Sequence, residues 1–142
     1  MTNSFSKYLD YIPKSGIREF FDIVSTQKDI ISLGVGEPDF LTPWFVRDEG
    51  IYALEKGLTA YTSNLGLLEL RQQVANYLSN FIHVDYDVDK EILITNGVSE
   101  GVDLVCRSLL NPGDEVIVPK PMYVCYDPLI SLTGAKVISC DT

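Results

Sequence analysis

Apolar residues recur at helical spacing in the first half of the chain, and short apolar runs alternate with helical patterns in the second. Ile17, Phe20, Phe21 and Val24 fall on one helical face and predict a helix from Gly16 to Lys28. Ser15 is placed to cap it, although Arg18 stands where a capping box has Glu or Gln. The run Ile30-Ile31-Ser32-Leu33 predicts a strand end that feeds the loop Gly34-Val35-Gly36-Glu37-Pro38-Asp39. Thr42-Pro43 predicts the next helix, with Thr42 as N-cap and Pro43 at the first helical position. That helix should run to about Glu55 and stop at Lys56-Gly57. A polar loop, Thr59 to Gly66, precedes a third amphipathic pattern marked by Leu67, Leu70, Val74, Tyr77, Leu78 and Phe81.

The second half reads strand, helix, strand, helix, strand. The strands are Glu91 to Thr95, Glu115 to Val118 and Ala135 to Ser139; the helices are Val98 to Leu110 and Tyr123 to Leu132. Asn111-Pro112-Gly113-Asp114 and Thr133-Gly134 supply the turns. This alternation predicts an α/β layer with a mostly parallel sheet and flanking helices. A parallel sheet is stable when helices cover both faces. Three strands with few helices make a lopsided sheet, so the pattern leads us to expect further chain.

Composition narrows the class. Hydrophobic residues make up 46% of the 142 residues and charged residues 22%, the balance of a soluble globular domain. No apolar run reaches bilayer length, and the N-terminal stretch has no apolar signal core, so a cytoplasmic protein is expected. The net charge of -9 argues against nucleic-acid binding, which rests on clustered Lys and Arg. It leaves open an anion pocket built from backbone N–H groups. Cys106, Cys125 and Cys140 lie at no metal-site spacing and read as reduced, structural thiols. The single histidine, His83, reads as a partly exposed helix-end residue. Asp85, Asp87 and Asp89 alternate, but without the glycine and distal glutamate of a calcium loop they read as a solvated turn.

Candidate chemistry gathers at Thr95-Asn96-Gly97-Val98-Ser99-Glu100. There a strand gives way through a glycine to a helix start, whose free N–H groups and dipole suit an anion. Taken by itself, this is more often an ordinary loop with a capped helix. Neither GxxxxGK[ST] nor GxGxxG is present. Tyr123 follows Pro119-Lys120-Pro121-Met122, just beyond a strand's C-terminal end, where ligands of open α/β sheets collect. Its ring is either a stacking platform or a rim tyrosine. Tyr61 is either a phosphate donor or a surface aromatic.

Together these stretches resemble the class I/II aminotransferases of pyridoxal-phosphate (PLP) fold type I, from Gly16 onward. The resemblance is carried by Ile31 to Phe40 with Thr42-Pro43; by Gly57 to Thr62 with Gly66 and Glu69-Leu70-Arg71; by Ile94 to Gly97 with Ser99-Glu100; and by Leu110 to Pro119 with Pro121 and Tyr123. It implies a partial large domain, residues 46–142, preceded by an N-terminal helix and loop, residues 1–45, belonging with the small domain. It implies that Gly97, Val98 and Ser99 hold the PLP phosphate and that Tyr123 stacks on the pyridine ring. Tyr61 would reach the cofactor phosphate of a partner subunit in a homodimer, and Gly36 would lie near the substrate carboxylate. The sequence departs from the family at Val98, where Gly or Ala is frequent, and at Gly101, where Ala is common.

The resemblance also implies what should lie beyond Thr142: a lysine forming a Schiff base with PLP, an acidic partner for the pyridine nitrogen and an arginine for the substrate carboxylate. The seven lysines here match none of the family's lysine motif. The expectation is the front part of an enzyme moving an amino group between an amino acid and a 2-oxo acid, inactive as this chain alone. A non-catalytic truncated module that keeps a phosphate-binding or dimerising surface is the alternative. So is another PLP fold-type I enzyme, such as a carbon–sulfur lyase or an aminocyclopropane-carboxylate synthase.

Overall fold

The computed structural model describes residues 5–12, 14, 16–17, 20–21, 23, 31, 36 and 38–142. These fall into two compact units: residues 31–94 form one, and residues 1–30 with 95–142 form the other. The predicted first helix and the strand end at Ile30–Leu33 lie mostly outside the described residues. Within the helix, Ile17, Phe20, Phe21 and Ile23 are helical, and Phe20 N–H donates to Gly16 O at 3.2 Å.

The unit of residues 31–94 holds helix α1, Trp44–Glu55, and helix α2, Leu68–Ile82. α1 begins one residue later than predicted. Pro43, at ψ 140, is outside the helical region and serves as N-cap, its carbonyl accepting from Val46 and Arg47, while Thr42 does not cap. The C-terminal prediction holds. Gly57 at φ 68 lets Leu58 N–H reach Ala53 O (2.9 Å) and its own N–H reach Leu54 O (3.0 Å), which satisfies two terminal carbonyls. α2 ends at His83 in the left-handed region, exposed as expected.

One charged side chain anchors this unit. Arg71 is 4% exposed; its guanidinium donates to the carbonyls of Gly66 (3.4 Å) and Val88, and pairs with Asp89 at 3.4 Å. It thereby ties α2 to the turns on either side of it. The acidic turn is internally bonded, with Asp87 accepting from Asp89 N–H and Glu91 from Asp87 N–H. No metal-binding cluster of His, Cys, Asp or Glu occurs among the described residues.

The strand predicted at Glu91–Thr95 is not formed. A strand is defined by a ladder, and among the described residues this run has no ladder partner; Ile94 N–H bonds instead to Leu65 O at 3.0 Å.

The other unit contains a short 3-10 turn, Lys7–Tyr11, then α3 (Val98–Leu109), β1 (Glu115–Lys120), α4 (Tyr126–Ser131) and β2 (Lys136–Asp141). β1 and β2 pair in parallel, from Glu115 with Lys136 to Lys120 with Asp141. β1 runs two residues past its predicted end. Lys120 O accepts from Thr142 N–H, so the positions facing β2 are those of Lys120's parity, and the missing donor of Pro119 falls on the far side. α4 starts three residues later than predicted, because Tyr123–Cys125 form a turn closed by Tyr126 N–H to Tyr123 O at 3.2 Å. Pro128 then sits in the first helical turn, where its lack of an N–H is harmless. α4 packs on α3 and β2 around a small core of Cys106, Val118, Ile130 and Ala135.

No helix among the described residues is long and apolar enough to cross a membrane.

Candidate functional site

α3 begins at Gly97, which adopts φ 89 and ψ 168. A side chain there would be strained, although a Cβ would meet nothing within 4 Å. The glycine therefore serves backbone geometry rather than close packing. Val98, Ser99 and Glu100 precede the first bond of the helix ladder, Gly101 N–H to Gly97 O at 3.4 Å, so helix geometry gives their amides no partner within α3. Val98 is 75% exposed, and Ser99 is also exposed. The helix start thus opens outward, and its dipole favours negative charge.

Two side chains shape this turn. Glu100 reaches back to accept from Asn96 N–H, and Thr95 Oγ1 donates to Gly97 O at 3.0 Å. The Glu100 carboxylate is thereby committed to the preceding peptide, leaving the first amides of α3 for an outside anion. A Glu three residues after the helix cap is the sequence signal for a bond of this kind.

Tyr123 occupies the turn before α4 and is 54% exposed. Tyr126 meets its ring edge to face, with centroids 5.7 Å apart and planes at 81°. Tyr126 is itself half-buried against the core, so it holds one edge of the exposed ring. The Tyr123 turn and the start of α3 meet directly: Ser99 Oγ lies 4.0 Å from Cys125 Sγ. The sequence brought Gly97, Val98, Ser99 and Tyr123 forward as one site, and the fold gathers them around this contact. Nothing in a separation of 26 residues signals the place of the Cys125 thiol beside Ser99.

Gly36 and Tyr61 belong to the other unit. Gly36 is exposed, with open space around a hypothetical Cβ. Tyr61 is fully exposed, in a loop closed by Gly66 N–H to Ser63 O at 2.8 Å.

All three cysteines are free thiols. Burial pushes the Cys106 thiol above its ordinary range, with smaller contributions from Asp103 and Cys125. Asp103 in turn pairs with Arg107 at 2.9 Å and raises the guanidinium further.

The family described as aminotransferase class I and II matches residues 28–142. The chain belongs to this family. Among aminotransferase relatives, the aspartate aminotransferase of Pyrococcus abyssi is 39% identical over 137 residues, covering 96% of this chain and 35% of that protein. YugH of Bacillus subtilis is 49% identical over 142 residues, covering 100% of this chain and 37% of that protein. In three dimensions, the aspartate aminotransferase of Thermotoga maritima superposes with a TM-score of 0.87 at 35% identity, over 97% of this chain and 38% of that one. The α/β fold is therefore part of the aminotransferase fold, and the chain spans about a third of the length of the curated relatives it matches.

Proposed function

We propose that this chain is the phosphate-holding front part of a PLP-dependent aminotransferase that exchanges an amino group between an amino acid and a 2-oxo acid. The observation that supports it most is the joining of an open helix start at Gly97 to the exposed Tyr123 ring through Ser99 and Cys125. The residues present fit PLP: a turn that only glycine adopts readily, amides with no partner within α3, a hydroxyl and an aromatic face.

The amides of Val98 and Ser99 and the Ser99 hydroxyl would donate to the phosphate oxygens, with the α3 dipole adding to the attraction. The face of Tyr123, steadied by Tyr126, would orient the flat ring and exclude water from one side. When bound, PLP supplies the electron sink that lets an amino acid lose its α-proton. None of the lysines in this chain stands in the family's lysine motif, so the roles derived for this chain are those of holding and orienting the cofactor.

Gly36 is assigned to the neighbourhood of the substrate carboxylate, and residues 1–45 to the small domain. Tyr61 is assigned to the partner subunit's cofactor phosphate in a homodimer; full exposure of its ring in the single chain accords with that role. A cytoplasmic location completes the proposal.

Titration of the full-length protein with PLP, followed by visible absorbance, tests this reading. Ser99→Ala and Tyr123→Ala should each weaken binding by about ten-fold, as expected for losing a charge-assisted hydrogen bond or a stacking partner. Unchanged affinity in both variants would remove the proposed site.

A further inference from the structure

The Ser99–Cys125 contact carries more than proximity. Ser99 is the second residue of α3, and its hydroxyl is one of the donors assigned to the phosphate. A hydroxyl is a rotor with one proton and two acceptor sites, so its aim depends on its other neighbours. Cys125 Sγ, at 4.0 Å, is the side-chain partner that Ser99 Oγ has in the structure. Cys125 stands between Tyr123 and Tyr126, the two rings that meet edge to face. Its backbone is fixed on both sides: Tyr126 N–H bonds to Tyr123 O across it at 3.2 Å, and its own carbonyl accepts from Leu129 N–H at 3.1 Å. The sulfur is therefore held on a rigid turn that begins α4 and points toward the first turn of α3.

Resting on the PLP reading above, we propose that Cys125 is a positioning residue: its sulfur aims the Ser99 hydroxyl and sets the spacing between the phosphate-binding helix start and the Tyr123 ring. The thiol carries out no chemistry. Removing it frees the Ser99 rotor, while the backbone bonds of the turn stay in place, so the phosphate donor loses its aim relative to the Tyr123 ring. Serine at position 125 keeps a polar atom able to meet Ser99, whereas alanine does not.

The test uses the full-length protein, with Cys125→Ala, Cys125→Ser, Ser99→Ala and the double variant of Ser99→Ala with Cys125→Ala. PLP affinity should fall about three-fold in Cys125→Ala, the scale of one weak neutral hydrogen bond. It should recover in Cys125→Ser, and the double variant should be no weaker than Ser99→Ala. A second readout leaves the sequence unaltered. Peptide mapping of iodoacetamide alkylation should show Cys125 slowed at least about two-fold by PLP but not by pyridoxal, which lacks the phosphate, with the same peptide in urea-unfolded protein as the reference. Parental affinity in Cys125→Ala, failure of serine to restore it, or equal alkylation with PLP and pyridoxal would overturn the positioning role. If Ser99→Ala still weakens PLP binding in that case, the phosphate site stands without Cys125. If Ser99→Ala changes nothing either, the site itself is wrong. Should Cys125→Ala fail to fold, Cys125→Ser and the alkylation comparison still decide the matter.

Discussion

A Cβ placed on Gly66 would lie 2.6 Å from the Cβ of Ile94, inside any real carbon–carbon contact. The same pair is drawn together by Ile94 N–H bonding to Leu65 O at 3.0 Å, and Gly66 itself sits at φ 93. Two independent constraints, steric and dihedral, therefore require glycine here. Gly66→Ala should destabilise the unit of residues 31–94 by about 2 kcal/mol or more, because overpacking and a strained backbone add. Urea denaturation would measure it, and a loss below about 0.5 kcal/mol would show that the 63–66 turn relaxes freely.

The opposite sign is expected inside the helices. Gly50 lies within α1 with nothing within 4 Å of a Cβ, and Gly101 lies within α3 with only an ordinary 3.5 Å contact to Thr95 Oγ1. Neither has a positive φ. Alanine at either position should raise stability by about 0.5–1 kcal/mol through reduced freedom of the unfolded chain. The family's frequent alanine at the position of Gly101 fits this reasoning. A lowered denaturation midpoint in Gly50→Ala would contradict it.

Arg71 should tolerate no neutral replacement. Arg71→Met keeps most of the apolar stem but leaves the carbonyls of Gly66 and Val88 without their donor. The expected loss is about 2–4 kcal/mol, since buried groups lose their partners together. Arg71→Lys should recover little of it, because one ammonium cannot reproduce the guanidinium fork. Thermal unfolding followed by circular dichroism would rank the three proteins.

The Cys106 thiol should resist alkylation at neutral pH while Cys140 reacts, because burial and the nearby Asp103 raise the Cys106 pKa and keep it protonated. The linkage follows with a definite sign. Its folded pKa is raised above the unfolded value. Its contribution to stability is therefore complete below the ordinary thiol range and is lost as pH rises through that range toward the folded pKa. Stability of Cys106→Ala relative to the parent should thus improve in alkaline solution. A difference that stays flat from pH 7 to about pH 10 would contradict this, the ordinary thiol titrating near 8.5.

Gly97→Ala separates backbone geometry from packing. Space is open around the position, yet φ 89 with ψ 168 is nearly reserved for glycine. The substitution should cost about 1–3 kcal/mol of stability or be relieved by rotating the following peptide. Either outcome misdirects the Val98 amide, so PLP affinity should fall even where the fold survives. Preserved affinity in a folded Gly97→Ala protein would mean that this amide is not used.

Much of this was legible in the residues, and the exceptions have physical reasons. Lys56-Gly57 announced a helix end because only a residue at ease with positive φ completes that cap. The alternation after Val98 gave the parallel pair β1–β2 and the helix between them. Glu91–Thr95 has strand composition, but composition cannot supply the neighbour that a ladder requires. Helix onset at Tyr126 rather than Tyr123 was hidden because the turn is fixed by one backbone bond, which leaves no mark in periodicity. Among the proposed site residues, Gly97 and Ser99 were visible as a glycine-led helix start and Tyr123 as an aromatic beyond a strand. Cys125, which meets Ser99, carries no such signal of its neighbour, whereas Glu100, which accepts from Asn96 N–H, stands three residues after the helix cap. Arg71 belongs to a stretch that carries the family resemblance, yet its burial depends on carbonyls from two separate turns.

The register of β1 and β2 has a consequence for how this polypeptide comes into being. Each β1 residue pairs with the residue 21 positions later, so every ladder bond between them closes a loop of the same modest length. Such pairing pays the closure entropy of a loop of about 20 residues, a cost that grows only slowly with length, and the residues between the strands supply the crossover helix α4. The crossover is therefore a topologically local unit, whose pairing needs only the stretch from Glu115 to Asp141.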